Sequence, residues 1–225
     1  MTATVRLRAD FSRREVVDWT RLPWQASPLP GVERRMLDRI GGEAARATSI
    51  VRYAAGAAFA PHAHPLGEEF LVLVGCFEDE QGRYPEGSYV RNPPGSRHAP
   101  CSPQGCTIFV KLRQFAPGDL ASRVVDTAGG DWLAGPAAGV EEQALHGFGE
   151  ERVALQRWAP GCRLAAHRHD GGEEVLVLGG VLSDEGGDYP AGTWLRLPPG
   201  SEHRPFTREG CEVWVKSGHL GASPR

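Results

Sequence analysis

The sequence predicts an all-β protein built as two tandem jelly-roll β-barrels. Short β-rich runs such as "FLVLV" and "VLVLGGVL" recur, and Gly and Pro break the chain at about strand-length intervals. No segment sustains a 3.6-residue apolar period with caps, which argues against helices. The third observation is an internal duplication that gives each barrel its own copy of one unit.

From His62 to Leu112, set against His167 to Ser217 without a gap, 26 of 51 positions are identical. Upstream the match continues at a different offset: "VVD" at Val16 recurs at Val124, Trp24 pairs with Trp132, and Gly31-Val32 with Gly139-Val140. The offset changes where "DRIGGEAARA" becomes "HGFGEER", as a surface loop tolerates. The repeat divides the chain into an N-terminal extension (1–15), a first domain (16–112), a connector (113–123) and a second domain (124–225).

Taken in order, "TVRLR" alternates and is expected to add an edge strand to a sheet of this chain or of a partner. "FLVLV" and "VLVLGGVL" read as buried strands. "GSYVRNPPG" and "GTWLRLPPG" read as strands ended by a rigid turn, and "CTIFVKL" and "CEVWVKS" as alternating closing strands.

Composition narrows the function. With 40% apolar and 24% charged residues and a formal net charge of -3, nothing suggests a basic face for nucleic acid. The first twenty residues carry four arginines without an apolar core, and the longest apolar run is too short to span a bilayer, so a cytoplasmic location without membrane contact is expected. Five cysteines, an odd number without a C-x-x-C pair, argue against a disulfide framework; Cys106 and Cys211 hold equivalent positions and read as small buried hydrophobes.

Six of the eight histidines form two triplets, His62, His64, His98 and His167, His169, His203. Residues two apart on a strand share a face, so each H-x-H presents both imidazoles to one volume. A glutamate follows each pair at equal spacing, and a third histidine follows each Pro-Pro-Gly turn. Such a pattern, present twice, points to metal binding.

"GAAFAPHAHPLGEEFLVLVG" from Gly56 and "GCRLAAHRHDGGEEVLVLGG" from Gly161 resemble the first cupin motif. "GSYVRNPPGSRH" and "GTWLRLPPGSEH" resemble the second up to its histidine, with Ser102 and Thr207 where an asparagine is usual. The chain therefore resembles a bicupin. The style of the second half resembles the ChrR-like cupins, which include the metal-binding domain of ChrR-type anti-sigma factors and are similar to diketone-cleaving cupin dioxygenases. The resemblance implies one divalent transition metal per domain, held by His62, His64, Glu68 and His98 and by His167, His169, Glu173 and His203. Both halves read "GEE", and the three-residue spacing favours Glu68 and Glu173 over Glu69 and Glu174, which are assigned to the outside or to a hydrogen bond with a ligand imidazole.

Three imidazoles and a carboxylate suit zinc or iron first, and nickel or manganese also. Zinc with four protein ligands is a closed site, whereas six-coordinate iron keeps two positions free. Two functions follow: a metal-binding sensor cupin, or a non-haem iron dioxygenase cleaving small diketones or hydroxyketones. ChrR-type proteins bind their sigma factor through a separate N-terminal zinc module; with no histidine before His62 and no cysteine before Cys76, sigma-factor binding is not expected. The remaining expected partners are a small-molecule ligand and a second copy of the chain. Arg91 and Arg196 read as an outer-face ion pair, with carboxylate anchoring as the alternative. Tyr89, Trp194, Phe109 and Trp214 read as core, Asp79 and Asp184 as solvated turns, and His146 and His219 as surface residues.

Overall fold

The computed structural model describes residues 5–221. Strands are antiparallel throughout the described residues, the one helical element is a 3-10 turn at Trp19–Arg21, and no helix is long and apolar enough to cross a membrane. The chain forms two units, and each combines segments distant in sequence. Residues 5–9 join Leu22–Gly130, and Asp10–Arg21 joins residues 131–221.

In the first unit the main sheet runs Val5–Leu7, Val32–Gly41, Ala45–Tyr53, Cys106–Leu112, Glu68–Asp79, Ser88–Asn92, Arg123–Asp126. The second repeats this order from its second strand on, as Val140–Phe148, Glu151–Trp158, Cys211–Ser217, Glu173–Asp184, Thr193–Leu197, Glu15–Asp18, with Leu133–Ala134 at the edge matching Gln25–Ala26 of the first unit rather than Val5–Leu7. The "VVD" segments are thus crossed over. Val16–Asp18, which the repeat assigns to the first domain, lies against Thr193–Leu195 of the second unit, and Val124–Asp126 lies against Ser88–Val90 of the first. "TVRLR" yields an edge strand of this chain, Val5 opposite Gly41 and Leu7 opposite Arg39; its Thr4 lies outside the described residues.

Each unit adds a two-stranded ribbon carrying the histidines. His62–His64 pairs with Ser96–His98, and His167–His169 with Ser201–His203, so His62 stands opposite His98 and His167 opposite His203. The Pro-Pro-Gly turn locks this ribbon: the Gly95 and Gly200 N–H groups donate to the His64 and His169 carbonyls at 2.9 and 2.7 Å. The glycine seven residues past each first glutamate has a steric cause. Gly75 and Gly180 sit at φ 80° and 67°, and a Cβ there would lie 2.3 and 2.1 Å from the Gly105 and Gly210 carbonyl oxygens. Ser102 and Thr207 also act alike, their hydroxyls donating to the Cys76 and Val181 carbonyls at 2.7 Å.

The first core gathers Phe70, Phe77, Tyr84 and Ile108, and the second Val175, Leu182, Tyr189 and Val213. Burying each such side chain contributes roughly 2 kcal/mol. Tyr89, Trp194, Phe109 and Trp214 are buried as core residues. All five cysteines are free, and burial pushes the Cys106 and Cys211 thiols up to about 11.

Arg91 and Arg196 depart from the surface reading: both are fully buried. Arg91 pairs directly across the strands with Glu69, bonds Glu69 and Asp119, and stacks on Phe115 at 4.0 Å. Arg196 lies opposite Glu174, covers the Phe11 ring at 4.2 Å and donates to the Asp10 carbonyl at 3.1 Å. The sequence hid this because charge alternates on a strand whose two faces are both covered. His146 and His219 are corrected likewise: His146 is buried, and the His219 side chain lies 3.4 Å from Glu174 with almost no exposure.

Candidate metal centres

Strand parity and the ribbon register bring each histidine triplet together. In the first unit the ring centroids of His62, His64 and His98 lie 4.8 to 4.9 Å apart, and in the second those of His167, His169 and His203 lie 4.7 to 4.9 Å apart. The Nε2 atoms of His64 and His98 lie 2.9 Å apart, and those of His169 and His203 3.0 Å.

The paired glutamates separate by parity. Glu68 Oε2 reaches to 3.5 Å of His64 Nε2 and 3.7 Å of His98 Nε2. Glu173 comes within 3.5 Å of His169 Nδ1 and 3.8 Å of His203 Nε2. Glu69 and Glu174 lie on the other face, buried, where Tyr89 donates to Glu69 at 3.0 Å; neither faces out nor bonds a triplet imidazole. Asn92 donates to Glu68 at 3.2 Å, and Leu197 takes the equivalent place near Glu173.

Residues behind the triplets set the tautomers. The Nδ1–H groups of His62 and His167 donate to the Ala60 and Ala165 carbonyls at 3.2 and 3.0 Å. Those of His98 and His203 donate to Asp79 and Asp184 at 3.1 and 3.3 Å, leaving each Nε2 lone pair toward the cluster. Asp79 and Asp184 therefore end strands with buried carboxylates rather than forming solvated turns. Both recur at the offset of the histidines, as do Tyr84 and Tyr189, which donate to them at 3.0 and 2.6 Å. That shared offset was the available signal. Arg14, 2.7 Å from Asp184, carried none, because its repeat counterpart is Ser122.

Electrostatics favour neutral donors. Burial, aided by His62, pushes His64 down to about 4; burial, with His203 and His167, does the same to His169. Burial raises Glu68 and pushes Glu173 up to about 7, partly offset by His98 and His203 respectively. Burial alone would raise Asp184, but hydrogen bonds from His203, Tyr189, the Gly186 N–H and Arg14 outweigh it and hold the carboxyl well below its usual range.

The donor set fits a transition metal. Three imidazoles and one carboxylate converge at each centre, with a pair of imidazole nitrogens 2.9 and 3.0 Å apart and the glutamate oxygens 3.5 to 3.8 Å from the ring nitrogens, close enough to share one ion. A cavity of about 600 Å³ in the second unit is lined by His167, His169, Glu173 and His203 at one part and by Glu142 and Gln156 at another, a volume suited to a small molecule.

The family model for the ChrR cupin-like domain matches residues 12–116 and again 120–221. The chain belongs to that family. No curated protein matches the sequence significantly. Among solved structures, this ChrR cupin-like protein is similar to a Nostoc punctiforme protein provisionally assigned as a dioxygenase, at 16% identity over 94% of this chain and 85% of the other, with a TM-score of 0.76. A Pseudomonas aeruginosa protein provisionally described as glyoxylate-induced shares 13% identity over 100% and 93% of the two chains, with a TM-score of 0.73. Bacillus subtilis oxalate decarboxylase shares 14% over 90% and 76%, with a TM-score of 0.62. At these identities the likenesses establish a bicupin fold, which the two family matches also describe.

Proposed function

We propose that each repeat holds one divalent transition metal, on His62, His64, Glu68 and His98 in the first and His167, His169, Glu173 and His203 in the second. The second centre then acts on a small molecule admitted through its cavity, as a non-haem iron dioxygenase for small diketones or hydroxyketones. The observation that carries this reading is the cavity of about 600 Å³ lined by the second set of donors. The donor set supports it, because a six-coordinate ion held by four protein ligands would keep two positions free, and so does the provisional assignment of the Nostoc protein. Bound iron would supply Lewis acidity toward a chelating carbonyl and a place for dioxygen. The chain's own residues hold the rest. Asp184 keeps the His203 Nδ1 proton in place, Arg14 and Tyr189 keep Asp184 ionised, and Leu164, Val175 and Leu182 give the cavity its apolar wall.

A second reading, the metal-binding sensor of ChrR type, is favoured by the first repeat, where the same donor set sits against aromatic packing: Phe77 lies 5.9 Å from His98. Elemental analysis with oxygen uptake separates the two. About two metals per chain are expected, His62→Ala and His167→Ala should each remove about one, and iron-loaded protein should consume oxygen with pentane-2,4-dione. Two zinc ions per chain with no oxygen uptake after iron exchange overturns the enzyme reading in favour of the sensor. Unchanged metal content in either variant refutes the ligand assignment of that half.

A further inference from the structure

The two repeats keep the same donors but fill their barrels differently. Phe70 of the first corresponds to Val175 of the second, Phe77 to Leu182, Phe59 to Leu164 and Met36 to Ala144. In the first repeat Phe70 and Phe77 lie 4.7 Å apart, Phe77 meets Tyr53 at 5.6 Å, and Tyr53 meets Phe59 at 5.3 Å. This aromatic cluster reaches the histidines through Phe77. In the second repeat the corresponding Val175, Leu182, Leu164 and Ala144 line the cavity instead.

The cavity also has a polar wall that the first repeat does not share. Trp158 Nε1–H donates to Gln156 Oε1 at 3.1 Å, and Gln156 Nε2–H donates to Glu142 Oε2 at 2.8 Å. The chain Trp158–Gln156–Glu142 fixes one carboxylate oxygen, and Glu142 Oε1 has no protein partner among the described residues. The counterparts are Tyr53, Val51 and Arg34, and Arg34 is engaged by Glu43 at 3.0 Å. Arg152, a cation on the cavity lining, is exposed, and its Nη1–H groups donate to the Gly149 and Glu151 carbonyls at 2.6 and 2.8 Å. His146 completes the polar lining. An anionic ligand head would be repelled by the Glu142 carboxylate, whereas a hydroxyl or amine would give it a charge-assisted hydrogen bond.

We propose that ligand binding belongs to the second repeat alone, whose cavity takes a neutral or cationic small molecule with an apolar body and a hydroxyl or amine that donates to Glu142. This rests on the reading that the second centre serves a small molecule, and it names that molecule's class.

Calorimetric titration of the metal-loaded protein with tyramine, tyrosol and 4-hydroxyphenylacetate, three probes of nearly equal size, tests it. One equivalent of tyramine or tyrosol per chain is expected, with 4-hydroxyphenylacetate at least about tenfold weaker. Glu142→Gln should reduce that preference by about tenfold, and Val175→Phe with Leu182→Phe should abolish binding while metal stays at two per chain. Two equivalents per chain, tighter binding of the acid, or binding by none of the three overturns the proposal. If the double variant fails to fold, Glu142→Gln decides alone: an unchanged preference refutes the role of the carboxylate. Metal measured on the same samples keeps the two readings apart. Absence of metal with selective tyramine binding overturns the metal assignment alone, and full metal without selective binding overturns this inference alone.

Discussion

His203 shows how much of a centre lies behind its donors. Its Nε2 faces the cluster because Asp184 holds the opposite nitrogen, and Asp184 stays ionised because Arg14, Tyr189 and the Gly186 N–H hold it in turn. Replacing Asp184 with Asn keeps the size but weakens the hold on the proton, so Asp184→Asn should lower metal affinity of the second centre by about 10- to 100-fold and leave the first unchanged. Chelator competition on a His62→Ala background, which isolates the second centre, measures it; unchanged affinity would show that Asp184 serves only folding. A proton at Glu173 gives the same centre a pH dependence. Burial pushes this carboxyl up to about 7 in the metal-free fold, against an ordinary 4.5. That raised value stabilises the metal-free fold fully below pH 4.5, and the contribution is lost as pH rises through about 7. His169, held down to about 4, is already neutral there and releases no proton. A metal must displace the Glu173 proton, so its apparent affinity at the second centre should rise about tenfold between pH 6 and pH 8. Equal affinities at the two values would exclude Glu173 as the proton source.

Among the elements, the N-terminal segment serves both units in succession. Val5–Leu7 lies on the edge strand Val32–Gly41, and Arg8 donates to the Leu37 carbonyl at 2.8 Å. Glu15–Asp18 then pairs with Thr193–Arg196, and Arg14 reaches Asp184 just before it. Trimming at two depths should separate these roles. Removal of residues 1–9 should cost a little stability and leave both centres loaded. Removal of residues 1–18 uncovers the strand Thr193–Leu197 and takes Arg14 away, so it should lower Tm by about 5 °C or more and reduce metal from two per chain toward one. Thermal scans with metal analysis on both truncations check this; equal metal in the two would mean that Arg14 and its strand do not support the second centre.

For the molecule as a whole, what the sequence made legible is what was duplicated. The histidine triplets, the Pro-Pro-Gly turns and the motif glycines recur at one offset, so the strand pattern and the gathering of imidazoles could be read before any coordinates. Asp79 and Asp184 recurred as visibly, but an acidic pair beside a glycine looks like a turn until its carboxylate is seen behind a histidine. Glu69 with Arg91 was hidden for another reason: a charge pair on a strand gives no sign that both faces are covered. Arg14 lay beyond reach altogether, since its partner stands 170 residues away and the other repeat has no equivalent. The crossed strands also order the events of synthesis. The first barrel receives its last strand, Arg123–Asp126, soon after its own residues emerge, whereas Glu15–Asp18 leaves the ribosome well before Thr193–Arg196 and waits for it. Folding of the second barrel therefore waits on a pairing between segments far apart in sequence, a contact of the kind that slows folding, and until it forms an early strand stays open to wrong partners.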